Sequence, residues 1–152
     1  MLSARRAAVS DRDCVNSFFD TQPGINNSNN YEFSVTVQQG RIVKPNGNIV
    51  TLESTRTFEW IDGDYLHGLL GWCDNAWRIS GSSEGTTSDG RDYNIDIITP
   101  LTKKSCCPWV AEGSVSVMVD GDQTAALDYD DGECDKFADY SHNGLTDRII
   151  LH

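Results

Sequence analysis

Four tight-turn signals punctuate the chain, at Pro45-Asn46-Gly47, Asp89-Gly90, Asp120-Gly121-Asp122 and Asn143-Gly144. Turns of this kind hold residues at positive φ, where Gly, Asn and Asp cost least, and their twist suits a β-hairpin. The segments around them alternate. Tyr31, Phe33, Val35 and Val37 face one way and Glu32, Ser34, Thr36 and Gln38 the other, the period-two pattern of a half-buried strand. Val50, Leu52, Phe58 and Trp60 share a face opposite Thr51, Glu53, Thr55, Thr57 and Glu59. Ser54 and Arg56 interrupt that apolar face, so a bulge or a sheet edge is expected near them.

Further strands follow. Trp77 and Ile79 begin one that fades into residues 81–88; Tyr93, Ile95 and Ile97 form another, which Pro100 is expected to end. Trp109 to Val119, Ala125 to Tyr129, residues 133–140 and a last run ending in Ile149 and Leu151 complete the series. The prediction is an all-β antiparallel meander of about eight strands, forming a sandwich or a rolled sheet. Residues 61–76 form the longest irregular connection and keep apolar residues that a solvated loop would not, so they are expected to pack across an open end of the sheet.

Residues 1–30 read differently and are set apart from the β-domain of 31–152 as a short helical or irregular appendage. Ser10-Asp-Arg-Asp13 suits a helix start, with Ser10 as cap, and Val9, Val15, Phe18 and Phe19 supply a short apolar stripe. Thr21-Gln-Pro-Gly24 and the polar run from Asn26 to Asn30 break it.

At 152 residues the chain fits one domain with a core of its own. Its 12 basic and 23 acidic residues give a net charge of −11, a field that repels phosphate backbones and anionic lipid. Nucleic acid is therefore disfavoured as a partner. No apolar stretch is long enough to span a membrane.

The five cysteines, Cys14, Cys73, Cys106, Cys107 and Cys134, are many for a reduced β-domain. They show no Cys-x-x-Cys pair, and His67, His142 and His152 do not stand at zinc-ligand spacings from them. The expectation is oxidised cysteines in a secreted or outer-envelope protein. Adjacent Cys106 and Cys107 are poorly placed to bond each other, so one of them is expected to meet Cys134, and the odd count leaves a thiol over. Arg5 and Arg6 are not followed by an apolar run of signal-peptide length, so the sequence reads as a fragment of an exported chain.

One resemblance is carried by residues of the C-terminal half. Thr99-Pro-Leu101, a Cys followed by an aromatic residue and a Gly-initiated strand, Leu127-Asp-Tyr-Asp-Asp-Gly-Glu-Cys-Asp135 and an Asn-Gly hairpin ending in Ile-Ile-Leu are similar to the C-terminal β-domain of Bacteroidota surface lipoproteins. Arg56-Thr-Phe-Glu-Trp-Ile-Asp-Gly63 resembles the same family, so the likeness covers residues 50–152. The family pattern has a Gly where Asp130 stands and one Cys where this chain has two. Cys107 keeps the family's spacing to Gly113, so the resemblance implies a Cys107–Cys134 bridge. Apart from the resemblance, Cys106–Cys134 is the fallback pairing and Cys73–Cys106 a weaker second bridge. In a plain meander Cys134 would sit two strands from Trp109, about 10 Å away, so residues 105–108 would have to fold back over the sheet. The resemblance implies an envelope location and a β-rich fold, and no activity.

The chemistry-bearing residues give weaker signals. Asp128, Asp130, Asp131, Glu133 and Asp135 form the densest acidic cluster, and Asp-x-Asp echoes the opening of a calcium loop. The distal bidentate Glu is missing, and a hairpin turn with solvated acids explains the same residues. Trp72 in the long loop is the one tryptophan suited to stacking on a sugar ring, since Trp77 and Trp109 fall on apolar strand positions. His67 and Asp64 lie in that loop and could pair. Ser141 and His142 are strand neighbours and point to opposite faces, so they form no dyad. No phosphate-binding loop or cofactor fingerprint stands out, and no cofactor is expected. These readings point to a non-catalytic surface module whose partner is a protein or glycan, with a small carbohydrate-binding or carbohydrate-active domain using the 61–77 loop as the alternative.

Overall fold

The computed structural model describes residues 18–25, 30–63, 73 and 75–151. They form nine strands: β1 (Phe18–Ile25), β2 (Tyr31–Val43), β3 (Ile49–Asp62), β4 (Ala76–Thr86), β5 (Asp92–Lys104), β6 (Glu112–Val119), β7 (Asp122–Asp131), β8 (Phe137–His142) and β9 (Leu145–Ile150). All lie in one antiparallel sheet in sequence order. The expected meander is therefore what the chain adopts, laid out as a single open sheet, and strand packing runs between sequence neighbours.

The tight turns close the even-numbered connections, and the backbone shows why they carry Gly, Asn and Asp. Gly47, Gly90, Gly121 and Gly144 have φ of 82°, 84°, 87° and 78°, while Asp120 and Asn143 stand at 53° and 51°. Because the sheet is a meander, these four turns share one end. The odd-numbered connections share the other; those after β3 and β5 are the longest, and those after β3, β5 and β7 carry Cys73, Cys106, Cys107 and Cys134.

Register keeps the alternation in phase across the strands. Phe33 faces Phe58, Phe58 faces Ile79, Ile95 faces Val117 and Leu127 faces Tyr140, so one face is apolar from β2 to β8. The opposite face is rich in hydroxyls, and Ser34 pairs with Thr57 at 2.9 Å and Ser141 with Thr146 at 2.7 Å. The interruption at Ser54 is answered on the neighbouring strand: Val37 pairs with Ser54 and Gly40 with Leu52, so β2 carries one extra residue there. Gln39, at φ 54°, takes up that bulge.

Three expectations change. Pro100 does not end its strand: β5 continues to Lys104, and Pro100 lies within a register shift against β6, between the Thr99–Ser114 and Thr102–Glu112 pairs. A residue without an N–H fits a central strand at such an irregularity, where the ladder skips a bond. Trp109 precedes β6, which starts at Glu112, and residues 133–136 precede β8, which starts at Phe137. Phe18 to Ile25, expected as helix and breaker, pairs with β2 along its length as an edge strand. An edge position tolerates Pro23, since only one side of the strand needs hydrogen bonds. The expected helix start at Ser10 lies outside the described residues.

Candidate functional site

The long-connection end of the sheet gathers most of what the sequence singled out. Cys73–Cys106 joins the β3–β4 connection to the β5–β6 connection, with Cα atoms 4.7 Å apart. Cys107–Cys134 joins the β5–β6 connection to the β7–β8 connection at 5.6 Å. Three successive connections are thus stapled in series through the adjacent Cys106 and Cys107. The distance foreseen for the second bridge is removed by register. Glu112 pairs with Asp131, so the chain leaving β7 emerges beside the chain entering β6, and Cys134 needs to cross only one inter-strand gap.

Hydrogen bonds hold the same end. Ser105 N–H donates to the Asn75 carbonyl at 2.9 Å, Ala111 N–H to Thr102 at 2.9 Å and Gly132 N–H to Ala111 at 2.9 Å. Lys103 Nζ donates to the carbonyls of Cys107 and, at 3.1 Å, Trp109; Lys104 Nζ donates to Gly132 at 2.6 Å. Desolvation lowers the pKa of the Lys103 ammonium. Among the described residues, the buried apolar ones collect here: Ala76, Cys107, Ala111 and Ala138. The core is therefore small and stapled, in keeping with an open sheet that must find stability beyond burial.

Beside it an aromatic row crosses three strands of the apolar face. Tyr31 and Trp60 have ring centroids 5.9 Å apart at 27°, and Trp60 and Trp77 6.1 Å apart at 24°. Phe33 and Phe58 stack at 4.9 Å and 8°, and Phe33 meets Trp77 edge-on at 5.7 Å. The pairs follow from register, since Trp60 faces Trp77 and Phe33 faces Phe58. Each ring leans on the next strand's ring, an arrangement that holds strands together. Trp60 and Trp77 flank the 61–77 connection, and Tyr31 is exposed at the row's outer limit. Sequence reasoning placed Trp77 on an apolar strand position but missed its partnership with Trp60. Their mirrored positions on either side of one connection were the available signal.

Two grooves lie away from this end. One, of about 780 Å³, runs beside the tight turns and is lined by Gly40, Glu53, Glu84, Gly85 and Asn94. The other, of about 410 Å³, lies on the polar face among Ser114, Ser116, Asp128 and Asp139. On the apolar face, Arg56 donates to Ser83 at 3.1 Å, and burial lowers its pKa against the opposing pull of Asp96.

The acidic cluster is spent on its own turn. Asp128 Oδ1 accepts the Asp130 N–H at 3.2 Å, Asp131 Oδ1 the Glu133 N–H at 3.4 Å and Asp135 Oδ1 the Phe137 N–H at 2.9 Å. Asp130, at φ 62°, forms an ion pair with Arg148, whose guanidinium also lies 5.2 Å over the Phe137 ring. Among the described residues, no three or more His, Cys, Asp or Glu side chains converge into a metal-holding group. Ser141 and His142 diverge: the hydroxyl pairs with Thr146, while the ring Nδ1 lies on the Thr124 carbonyl. Asp64, His67 and Trp72 lie outside the described residues. Among those described, no helix is long and apolar enough to cross a membrane.

Compared with known protein families, with curated proteins and with solved structures, the chain matches none.

Proposed function

We propose that this chain is a non-catalytic, exported β-domain of a bacterial cell envelope, serving as an adhesive, scaffolding or interaction module. The observation that carries the reading is the serial stapling of three connections by two disulfides across an open, single-layer sheet. Disulfides persist in oxidising compartments, so the bonds favour export. A one-layer sheet with an apolar face only half withdrawn from water favours a role in contact with another molecule. The charge of −11 favours solubility and a partner other than nucleic acid. The likeness to Bacteroidota surface lipoprotein domains supports the same location.

The alternative, a carbohydrate-binding or carbohydrate-active domain, draws on the 61–77 loop and on the aromatic pair that flanks it. Against it, the Trp60 and Trp77 rings are engaged with each other across the strands, with centroids 6.1 Å apart. A glycan array with the oxidised protein separates the two. The module reading expects no glycan binding that depends on Trp72. Reproducible binding lost on Trp72→Ala would replace it with the carbohydrate reading.

A further inference from the structure

We propose that the Cys73–Cys106 bridge is a site of reversible thiol–disulfide exchange with an external thiol, opening while Cys107–Cys134 stays closed. The inference goes beyond the surface-module reading and stands on the unequal settings of the two bonds.

Exchange requires a thiolate to attack one sulfur in line with the S–S bond while the other leaves as a thiolate. Cys73 and Cys106 are both exposed residues, so attack from either side expels a thiolate that water can solvate. Cys107 is 3% exposed. Attack on it is obstructed, and attack on Cys134 expels the Cys107 thiolate into a site that withholds water from the charge. Burial of that kind raises a thiol's pKa and makes it a poor leaving group.

The covalent step balances with the external thiol as reductant. Its thiolate bonds to the sulfur of Cys106 or Cys73; the S–S electron pair departs with the partner sulfur, which takes a proton from water. A second external thiolate then displaces the protein sulfur from the mixed disulfide. Two external thiols are oxidised to one disulfide and the protein bridge is reduced to two thiols. The released Cys106 does not bond its neighbour Cys107. Adjacent Cα atoms across a trans peptide are ~3.8 Å apart, short of the ~4.4 Å at which disulfides begin, so a 106–107 ring is disfavoured.

Opening this bond leaves the sheet in place. Ala76 still pairs with Lys104, and the Ser105 to Asn75 hydrogen bond remains. What is released is the covalent tie between the β3–β4 and β5–β6 connections.

The test is a time course of the oxidised full-length chain in dithiothreitol, quenched with N-ethylmaleimide and mapped by mass spectrometry. A Cys14→Ser variant runs in parallel, so that the chain's own thiol is not the nucleophile. The expected result is alkylation of Cys73 and Cys106 at least tenfold faster than of Cys107 and Cys134, with the far-ultraviolet circular dichroism unchanged and the bond re-forming on oxidation. Opening of both bridges together, opening of Cys107–Cys134 first, or alkylation of Cys73 and Cys106 only in step with loss of the sheet signal would overturn the proposal. Selective opening in the native chain that vanishes in Cys14→Ser would overturn the external thiol as the attacking group.

Discussion

Removing the inner staple is predicted to cost this domain a large share of its stability through the unfolded state. In Cys107→Ala/Cys134→Ala the chain loses a closure with a sequence separation of 27. Chain-entropy reasoning for a loop of about 28 residues gives about 3.6 kcal/mol at 25 °C. Cys107 is also buried, and deleting its sulfur from a packed site adds about 1 kcal/mol. Small domains hold ~5–15 kcal/mol in all, so the variant stays folded at room temperature with a much smaller margin. At ~2–4 °C per kcal/mol for a chain of this size, the Tm falls by about 9–18 °C. Urea unfolding followed by tryptophan fluorescence measures the loss directly. The m-value is expected to rise, because an uncrosslinked unfolded chain exposes more surface. A Tm within about 2 °C of the parent, at unchanged m, would refute the claim that this bridge stabilises by restraining the unfolded chain.

Other consequences follow from packing, backbone and charge. In a double-mutant cycle, Trp60→Ala and Trp77→Ala are expected to couple by about 0.5–1.5 kcal/mol, since their rings pack across strands; chemical denaturation that finds them additive would remove the pair. Gly113→Ala is expected to cost about 2–3 kcal/mol: φ is +109°, and a Cβ there meets the Pro100 carbonyl and Leu101 Cα. Gly47→Ala, at φ +82° in open space, is expected to cost about 1 kcal/mol in the same assay, so equal losses would contradict the steric part. The Asp89 carboxyl, hydrogen-bonded by Thr87 and Arg91, titrates below the ordinary carboxylate range. Its folded-state pKa is depressed, so its contribution is present above the unfolded value and lost as pH falls through the folded one. Carbon-detected NMR titration checks this, with Thr87→Ala raising the midpoint.

The tight turns made the fold legible. Gly47, Gly90, Gly121 and Gly144 occupy the positive-φ positions their dipeptides suggest, and the alternation between them gave the two faces. What was hidden follows from context. Pro23 and Pro100 read as breakers because a sequence does not reveal whether a strand lies at an edge or a ladder skips a bond. The irregularity suspected at Ser54 surfaced opposite it, on β2, where Gln39 carries no turn signal of its own. The cysteine site was legible as an oxidised set; the Cys107–Cys134 bond looked geometrically awkward because Cys134 was expected on a strand of residues 133–140, whereas it lies in the connection between β7 and β8. Register resolved that, since the end of β7 lies against the start of β6. The aromatic row depended on which rings come opposite one another, and this emerges only once the strands are aligned.

The central claim, that this is a disulfide-stapled module displayed outside the cell, is tested most directly by labelling intact cells that produce it. A membrane-impermeant amine-reactive biotin is applied before lysis, and the chain is recovered on streptavidin and resolved without reductant. The account predicts labelled chain from intact cells, carrying both Cys73–Cys106 and Cys107–Cys134, or only the latter where exchange has occurred. Chain labelled only after lysis, with Cys107 and Cys134 as free thiols, would contradict it.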